Sequence, residues 1–279
     1  MTTGATSTRL PDGRLHLHHG PIDIIAQAWG TSDAIAKGEA RMMARFGSVL
    51  AELANELPEL RSEGGQPKGQ IARAMAQATA IFAPIFITPM AAVAGAVADA
   101  LLAELAVAGV SRAYVNNGGD IALHLDQGES LTCAIAARPG LPDRVTVRAA
   151  DAARGIATSG WRGRSWSLGI ADSVTVLAKT AAMADAAATM IANAVDVTDH
   201  PGVIRRPAVD MQTDSDLGLR RVTVGVAGLG HSDICSALAA GESAAKAWRT
   251  RGLIEAAALF LHPEVRTIGP LALKEHALV

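Results

Sequence analysis

The chain has 279 residues, of which 49% are hydrophobic and only 3% are aromatic. This length is enough for a sizeable core, and alanine, valine and leucine must fill most of it. With 25 basic and 27 acidic side chains the formal net charge is −2, so the chain lacks the positive field with which nucleic-acid-binding proteins attract phosphates.

The N-terminal part predicts a short tail followed by two paired strands. Residues 1–8 are small and polar, and we expect them to be disordered. They have neither the basic start nor the apolar run of a signal peptide, and the two cysteines lie outside any CxxC spacing. We therefore expect a cytoplasmic protein. Strands are predicted at 14–19 and 22–29.

Two helices and a long apolar stretch come next. Apolar residues at the spacing of a one-faced helix predict a helix from Asp33 to about Leu60, and residues 61–70 read as a loop. A second helix should follow this loop and end before Pro84. Residues 74–98 carry no charged side chain and are long enough to cross a bilayer. Pro84 and Pro89 interrupt any helix there, so we expect no membrane span.

A helix and a hairpin are predicted between residues 90 and 125. Val93, Val97, Leu101 and Leu105 recur at intervals of four and would line one side of the helix. Two β-like runs then flank the segment NNGGD (Asn116–Asp120). Its paired glycines can let a backbone approach a ligand and expose amides, or can simply form a hairpin turn at positive φ.

Further strands are predicted in the middle of the chain, at 131–137, 145–149, 156–159 and 174–177. The third of them ends in the segment ATSG (Ala157–Gly160). Its two hydroxyls can donate hydrogen bonds to a phosphate or can form an ordinary turn. Since the connections are too short for helical crossovers, an antiparallel sheet with helices on one side is favoured over a doubly wound parallel sheet.

An alanine-rich helix is predicted from residue 180 to 195. Its polar residues Asp185, Thr189 and Asn193 are each four apart and share one face. The opposite face, predicted to pack, carries Met183, Ala187, Met190 and Ala194. The carboxylate and the hydroxyl can share a magnesium ion with phosphates and water. The alternative is an aspartate favoured by the helix dipole and a threonine bonded back to its own helix.

The closing elements are a strand, a helix and a strand, predicted at 220–226, 232–248 and 253–260. The glycines of GVAGLGH (Gly225–His231) do not follow the order GxGxxG and read as turn glycines. His231, Ser232 and Cys235 lie together, but the sequence places no third group beside them that would complete a nucleophile triad. No linker is evident, so we expect residues 9–279 to form one domain.

Four motifs follow one another in the order AVAGAVAD (Ala92–Asp99), NNGGD, ATSG and ADAAAT (Ala184–Thr189). This order resembles that of ApbE-type FAD:protein FMN transferases, which carry a GGIAKG-like helix start, a GGD turn, a TSG strand end and an ADALAT-like helix. The resemblance covers about residues 90–190. It implies an α+β fold of the ApbE-like kind, related to T-folds, with an antiparallel sheet and packed helices.

The resemblance also implies a cofactor and a metal. Asp185 and Thr189 match the pair that holds Mg²⁺, and a backbone carbonyl near Val93 or Ala94 matches a third ligand. The walls of the cofactor site would be formed by Asn117, Gly118, Gly119, Asp120, Thr158, Ser159 and Gly160. Members of this family bind FAD and pass FMN to a threonine hydroxyl of a target protein, with the cation acting at the pyrophosphate.

The sequence departs from the transferase pattern at two places. Small residues around Ala94 and Gly95 replace the lysine of GGIAKG. The segment Arg164–Val176 carries Ser165 and Ser167 where transferases have a histidine, followed by IIDPxTG. FMN transfer therefore lacks its candidate base. In this respect the chain is similar to a separate branch of ApbE-like proteins from archaea and bacteria.

Three functions are compatible with these observations. The leading hypothesis is an ApbE-like protein that binds FAD, FMN or a similar phosphate-bearing cofactor with Mg²⁺, and whose activity, if it is an enzyme, is FMN transfer to a protein acceptor. The alternatives are an enzyme of sulfur or one-carbon, pterin-type, cofactor metabolism on the same scaffold, and a non-catalytic binding or assembly protein. No residue can be assigned as general base. An alanine-rich surface is compatible with a homodimer.

Overall fold

The computed structural model describes residues 4–138 and 141–271, which form a mixed α+β fold of the expected class. The chain divides into two compact units. The first extends to Leu131 and adds Val147–Ala157 and Ala178–Ala186. The second comprises Thr132–Thr146, Thr158–Leu177 and the described residues from 187 to 271. The assignment of residues 9–279 to one domain stays a prediction.

The elements agree with most of those predicted from periodicity. Up to residue 125 they are β1 (Thr6–Arg9), β2 (Leu15–His19), β3 (Ile22–Gly30), α1 (Ser32–Asn55), α2 (Leu57–Leu60), α3 (Gln70–Ala80), a short 3₁₀ helix η1 (Pro89–Ala92), α4 (Val93–Leu105), β4 (Val110–Asn117) and β5 (Asp120–Leu125). The later elements are β6 (Ser130–Arg138), β7 (Leu141–Arg148), β8 (Gly155–Ser159), β9 (Ser173–Ala178), α5 (Ala181–Ala194), β10 (Val203–Pro207), α6 (Ala208–Met211), β11 (Arg221–Val226), α7 (His231–Thr250), β12 (Ala256–Leu261) and β13 (Glu264–Ile268). Strands β1, β10 and β13 and helix α6 had no counterpart in the prediction.

The first unit contains an antiparallel sheet in the order β1-β2-β3-β4-β5, which the start of β8 extends. Strand β1 pairs with β2, so residues 6–8 of the expected tail form part of a strand. Helices α1 and α4 pack together and against this sheet. The predicted apolar face of α1 is buried through Met42, Phe46, Val49 and Leu53. The expectation of antiparallel strands with packed helices is therefore confirmed.

The second unit contains a smaller antiparallel arrangement. Strand β12 pairs with β9 on one side and with β13 on the other. All six residues of β12 are buried, which is typical of a strand inside a core. Helix α7 packs against β12 and β13, and β10 and β11 form a separate two-stranded ribbon.

The apolar stretch from residue 74 to 98 is divided among several elements. It contains the end of α3, an irregular connection with Pro84, the helix η1 that begins at Pro89, and the first half of α4. The two prolines interrupt helical structure as predicted. Within the described ranges, every helix is too short or too polar to cross a bilayer.

Candidate functional site

Helix α4 receives its N-terminal cap from a distant part of the chain. Ala92, which precedes the helix, has no side-chain acceptor with which to cap it. Instead the Asp185 carboxylate on α5 accepts a 3.0 Å hydrogen bond from the Gly95 amide, and the neighbouring Ala94 amide also stabilises its negative charge. The free amides of a helix start need such acceptors. Asp185 therefore caps α4 from another helix.

Helix α5 is capped in return by α4. The two carboxylate oxygens of Asp99 accept hydrogen bonds from the amides of Ala181 at 3.0 Å and Ala182 at 2.9 Å. Thr180 Oγ1 accepts a third bond, from the Met183 amide at 3.2 Å. Each carboxylate thus lies at the positive end of the other helix's dipole, where negative charge is favoured.

Gly95 allows the two helix starts to approach each other. A Cβ atom at this position would lie 2.2 Å from the carbonyl oxygen of Ala181 and 2.4 Å from its carbonyl carbon. These distances are far below van der Waals contact, and the opposing atoms are backbone. A residue without a side chain is therefore required at this position for the reciprocal caps to form.

The NNGGD segment forms the predicted hairpin turn and also contacts α4. Gly118 and Gly119 have φ angles of 63° and 118°, which only glycine adopts at little cost. Asn116 Oδ1 accepts a 2.8 Å hydrogen bond from the Gly119 amide. Asn117 is buried, and its Nδ2 donates a 3.1 Å bond to the Ala94 carbonyl. The turn glycines are exposed while the hairpin is fixed to the start of α4.

Two aspartates of the motifs lie close enough to affect each other's charge. Asp120 is buried, and Asp185 is half-buried. The pKa of Asp185 lies well above its usual range, first because burial removes solvation and second because of repulsion from Asp120. The amides of Gly95 and Ala94 oppose this increase, and Asp99 adds to it weakly. A cation bound between two such carboxylates would reduce their mutual repulsion.

The ligand types at this site fit a hard divalent cation such as Mg²⁺. Among residues 4–138 and 141–271, no three His, Cys, Asp or Glu side chains are grouped to hold a metal by themselves. A cation here would need oxygens from carbonyls, hydroxyls, water or phosphate, and magnesium usually retains such ligands. The observed donor set is compatible with a magnesium ion shared with a phosphate-bearing molecule.

Helix α5 shows the two faces predicted from the sequence only in part, because Met183 and Ala194 of the predicted packing face are half-buried like the polar line. Asp185 and Thr189 are half-buried and one turn apart, whereas Ala187 and Met190 are buried. Asn193, the third residue of the polar line, has a structural role. Its Oδ1 accepts a 2.9 Å hydrogen bond from the Leu168 amide, so only the first two residues of the line remain as metal-ligand candidates.

Ser167, which stands where transferases have a histidine, and the nearby Asp172 are both hydrogen-bonded within the protein. Ser167 is 3% exposed, and its hydroxyl donates to Asn193 at 3.3 Å and accepts from the Gly169 amide at 3.2 Å. Asp172 accepts bonds from Arg162 Nε at 2.5 Å and the His262 amide at 2.8 Å. Neither residue is placed as an available base.

The ATSG segment lies at the end of β8. Thr158 Oγ1 is 2.8 Å from Thr175 Oγ1, and the latter side chain is fully buried. A Cβ atom at Gly160 would lie 2.5 Å from the Asp172 carbonyl oxygen, so this glycine permits close backbone packing. Ser159 lies between them and is half-buried. Thr158 and Gly160 therefore have packing roles, and Thr158 lies within β8 rather than in the ordinary turn that was the alternative.

A groove with a volume of about 470 Å³ lies in the first unit. Its walls are the loop Glu63–Pro67, one face of α3 and the segment from Ala83 to Pro89. This volume is in the range of small-molecule binding sites. Pro89 begins η1, which leads directly into the α4 amides that Asp185 caps. One continuous segment of chain therefore runs from a wall of the groove to the start of α4, which the Asp185 carboxylate caps.

Sequence reasoning missed both Asp99 and this groove. Asp99 had one available signal, because it is the first charged residue after an uncharged run of 25 residues, 74–98. A charged side chain at such a place is usually paired or hydrogen-bonded. The groove had no such signal, since its walls come from segments whose packing is tertiary.

The chain is similar over most of its length to one protein family. A family model described as "AbpE bacteria" matches residues 7–267. A UPF0280 protein of Methanothermobacter thermautotrophicus is 33% identical over 217 residues, covering 64% of this chain and 78% of that protein. A UPF0280 protein of Methanothrix thermoacetophila is 36% identical over 126 residues, covering 45% and 52%. A third, from Methanopyrus kandleri, is 31% identical over 173 residues, covering 62% and 63%. In the latter two cases the chain spans less than two thirds of the relative's length.

Two solved structures of flavin transferases also show similarity. The apo form of flavinyl transferase ApbE from Pseudomonas stutzeri is 16% identical with a TM-score of 0.35, covering 70% of this chain and 85% of that one. A mutant of the flavin transferase ApbE from Vibrio cholerae is 13% identical with a TM-score of 0.45, covering 95% and 97%. Similarities at this level carry no argument about the site.

Proposed function

The chain belongs to the AbpE bacteria family, and on this premise we propose that it binds FAD, FMN or a similar phosphate-bearing cofactor together with Mg²⁺. Family membership confirms the resemblance to ApbE-like proteins that the motif order indicated, in the branch without the transferase histidine. The observation that carries the proposal is the position of the Asp185 carboxylate at the start of α4, where it accepts the Gly95 amide and is repelled by the buried Asp120.

Asp185 and Thr189 are proposed as the protein ligands of Mg²⁺. Asp185 Oδ2 accepts the Gly95 amide, and the carboxylate oxygens have further lone pairs with which to bind a cation. The Ala94 carbonyl accepts from Asn117, but a carbonyl oxygen has a second lone pair and can serve as a third ligand. A bound cation would also offset the repulsion from Asp120. Phosphate oxygens and water would complete its shell.

The remaining motif residues are proposed to form the walls of the cofactor site. The exposed turn of Gly118 and Gly119 can present backbone amides to a phosphate, and the half-buried Ser159 can offer its hydroxyl. Asn117, Thr158 and Gly160 would act by fixing the backbone that carries these groups. The non-phosphate part of the cofactor would pack in the groove between α3 and the segment that ends at Pro89.

The arrangement favours cofactor binding over FMN transfer. When bound, Mg²⁺ would neutralise charge on the phosphates. The residues of this chain would hold the phosphates and orient them, but a transfer step also needs a group that accepts the proton of the acceptor hydroxyl. Ser167 and Asp172 are occupied by other bonds. Transfer to a protein acceptor and a step in sulfur or pterin-type cofactor metabolism therefore remain secondary proposals on the same site.

Titration of FAD and FMN by calorimetry and flavin fluorescence, with and without Mg²⁺, tests the proposal. Asp185→Asn is the informative variant, because an amide oxygen still accepts the Gly95 bond while the charge that holds the cation is lost. Asp210→Asn, at an exposed position of α6, is its control. We expect saturable, Mg²⁺-dependent binding that Asp185→Asn abolishes and Asp210→Asn retains. Binding of neither flavin under any condition would refute the proposal for flavins and leave only another phosphate-bearing cofactor.

A further inference from the structure

A cluster of four side chains with nucleophile and base chemistry lies in the second unit. Cys235 Sγ is 3.5 Å from His231 Nε2, and His231 Nδ1 is 3.8 Å from Glu264 Oε1. Arg266 Nη2 is 4.0 Å from the same sulfur, and Arg266 Nη1 is 3.4 Å from Glu264 Oε2. None of these residues belongs to the proposed cofactor site. The sequence showed the cysteine and the histidine but not the carboxylate that completes the series.

The cluster is assembled by one helix and one strand. His231 and Cys235 are four residues apart at the start of α7, so their side chains share one face of the helix. Glu264 and Arg266 are two residues apart on β13 and share one face of the strand. Helix α7 packs against β13. This packing brings the carboxylate and the guanidinium to the histidine and the thiol.

The order thiol, imidazole, carboxylate is that of an activated nucleophile. One nitrogen of an imidazole can accept the thiol proton while a carboxylate at its other nitrogen orients the ring and stabilises its charge. The Arg266 guanidinium close to the sulfur can stabilise the negative charge that develops there as the proton leaves. Separations of 3.5 to 4.0 Å between these groups are usual before a reactant is bound.

We propose that Cys235 is a nucleophilic thiol that undergoes exchange with low-molecular-weight disulfides. His231 Nε2 accepts the thiol proton, and the Cys235 thiolate attacks one sulfur of the small disulfide. A new bond forms between Cys235 Sγ and that sulfur as the original S–S bond breaks. The other half leaves as a thiolate and takes the proton from His231. Cys235 is oxidised to a mixed disulfide and the leaving half is reduced, so no further oxidant is needed.

The chain contains an internal comparison, because its other cysteine has different surroundings. Cys133 and Cys235 are both free thiols of intermediate exposure. Burial raises the pKa of Cys133 to about 11, which leaves about one thiol in 10⁴ ionised at pH 7. His231, by contrast, is 76% exposed, so a small molecule can reach the imidazole beside Cys235.

The test is the rate at which the full chain reacts with 5,5′-dithiobis(2-nitrobenzoate) at pH 7, followed by the released aromatic thiolate and by mass spectrometry of the adduct. We expect one fast thiol per chain. Cys235→Ser should remove the fast reaction, and Cys133→Ser should retain it. Oxidised glutathione should give a mixed disulfide at the same residue.

Variants of the neighbouring groups separate an activated thiol from one that is merely accessible. His231→Asn should slow the fast reaction by roughly tenfold or more, and added imidazole should restore part of the rate because the position is exposed. Glu264→Gln should slow it less. His18→Asn, an exposed histidine of the first unit, should have no effect. Equal rates for the unaltered chain and His231→Asn, or a fast reaction at Cys133, would overturn the proposal.

Discussion

Asp99 and Asp185 cap each other's helices. Asp185 accepts the Gly95 amide of α4, and Asp99 accepts the Ala181 and Ala182 amides of α5. Neither helix start can move without breaking a cap on the other. Because Asp185 is also the proposed magnesium ligand, the same interaction that stabilises the fold holds a carboxylate in position for the cation.

Removing the carboxylate of Asp99 should destabilise the protein. Asp99→Ala leaves the Ala181 and Ala182 amides without their acceptor, and loss of an N-terminal cap costs about 1–2 kcal/mol. The free energy of unfolding in urea measures this change. Asp126→Ala, at an exposed aspartate, is the control and should change it by less than about 0.5 kcal/mol. Equal values for both variants would mean that the reciprocal cap contributes nothing.

Alanine should have opposite effects at two helical glycines. Gly95→Ala places a Cβ atom 2.2 Å from the Ala181 carbonyl oxygen, and relief of that overlap should cost at least about 1–3 kcal/mol. Gly47→Ala, in α1, meets no atom within 4 Å and should stabilise the chain by about 0.5–1 kcal/mol. The melting temperatures of the two variants should therefore shift in opposite directions. A rise for both would contradict the close approach of α4 and α5.

The raised pKa of Asp185 predicts how stability depends on pH. Folding raises this pKa above its ordinary value of 3.8, so the folded state binds the proton more tightly. The stability that this tighter proton binding contributes is fully present below the ordinary pKa of 3.8. It is lost as the pH rises through the pKa of Asp185 in the folded state.

Asp120→Asn removes one cause of that increase and should lower the pKa of Asp185. The loss of unfolding free energy between acidic and neutral pH should then be smaller in this variant. Carbon-detected NMR titration of the Asp185 carboxyl group and urea unfolding at each pH measure both effects. An unchanged Asp185 pKa in Asp120→Asn would show that the two carboxylates do not interact.

A charge placed in the groove should weaken cofactor binding without unfolding the protein. Ile85 lines the groove and is 54% exposed, whereas Leu219 is 80% exposed in the second unit. Ile85→Asp should reduce flavin affinity by roughly tenfold or more, because a carboxylate opposes both apolar packing and nearby phosphates. Leu219→Asp should leave the affinity unchanged. Equal affinities for the two variants would place the cofactor outside the groove.

Features with a local signal could be predicted from the sequence. The hairpin around Gly118 and Gly119 was predicted because its turn requires positive φ. The placement of Asp185 and Thr189 on one face of α5 was predicted because residues four apart lie one helical turn from each other. The role of Asp99 could not be predicted, since it depends on a contact 82 residues away in sequence.

The strands that were not predicted also lack a local signal in the sequence. Strand β13 has only five residues and follows β12 after a short turn, which leaves little periodicity to detect. Without β13 the sequence offered no place for Glu264 beside His231. Strand β1 is fully exposed, so it lacks the alternation of apolar residues by which strands are recognised. Its pairing with β2 is visible only in the structure.

The proposed magnesium site is tested most directly by the affinity for FAD, measured by calorimetry at increasing Mg²⁺, in the unaltered chain and in Thr189→Val. Thr189→Val removes the hydroxyl while keeping the side-chain volume, whereas Thr189→Ser retains the hydroxyl. We expect Mg²⁺ to strengthen FAD binding in the unaltered chain and in Thr189→Ser, and to have little effect in Thr189→Val. Flavin affinity that does not depend on Mg²⁺ in any of the three proteins would contradict the proposed magnesium site.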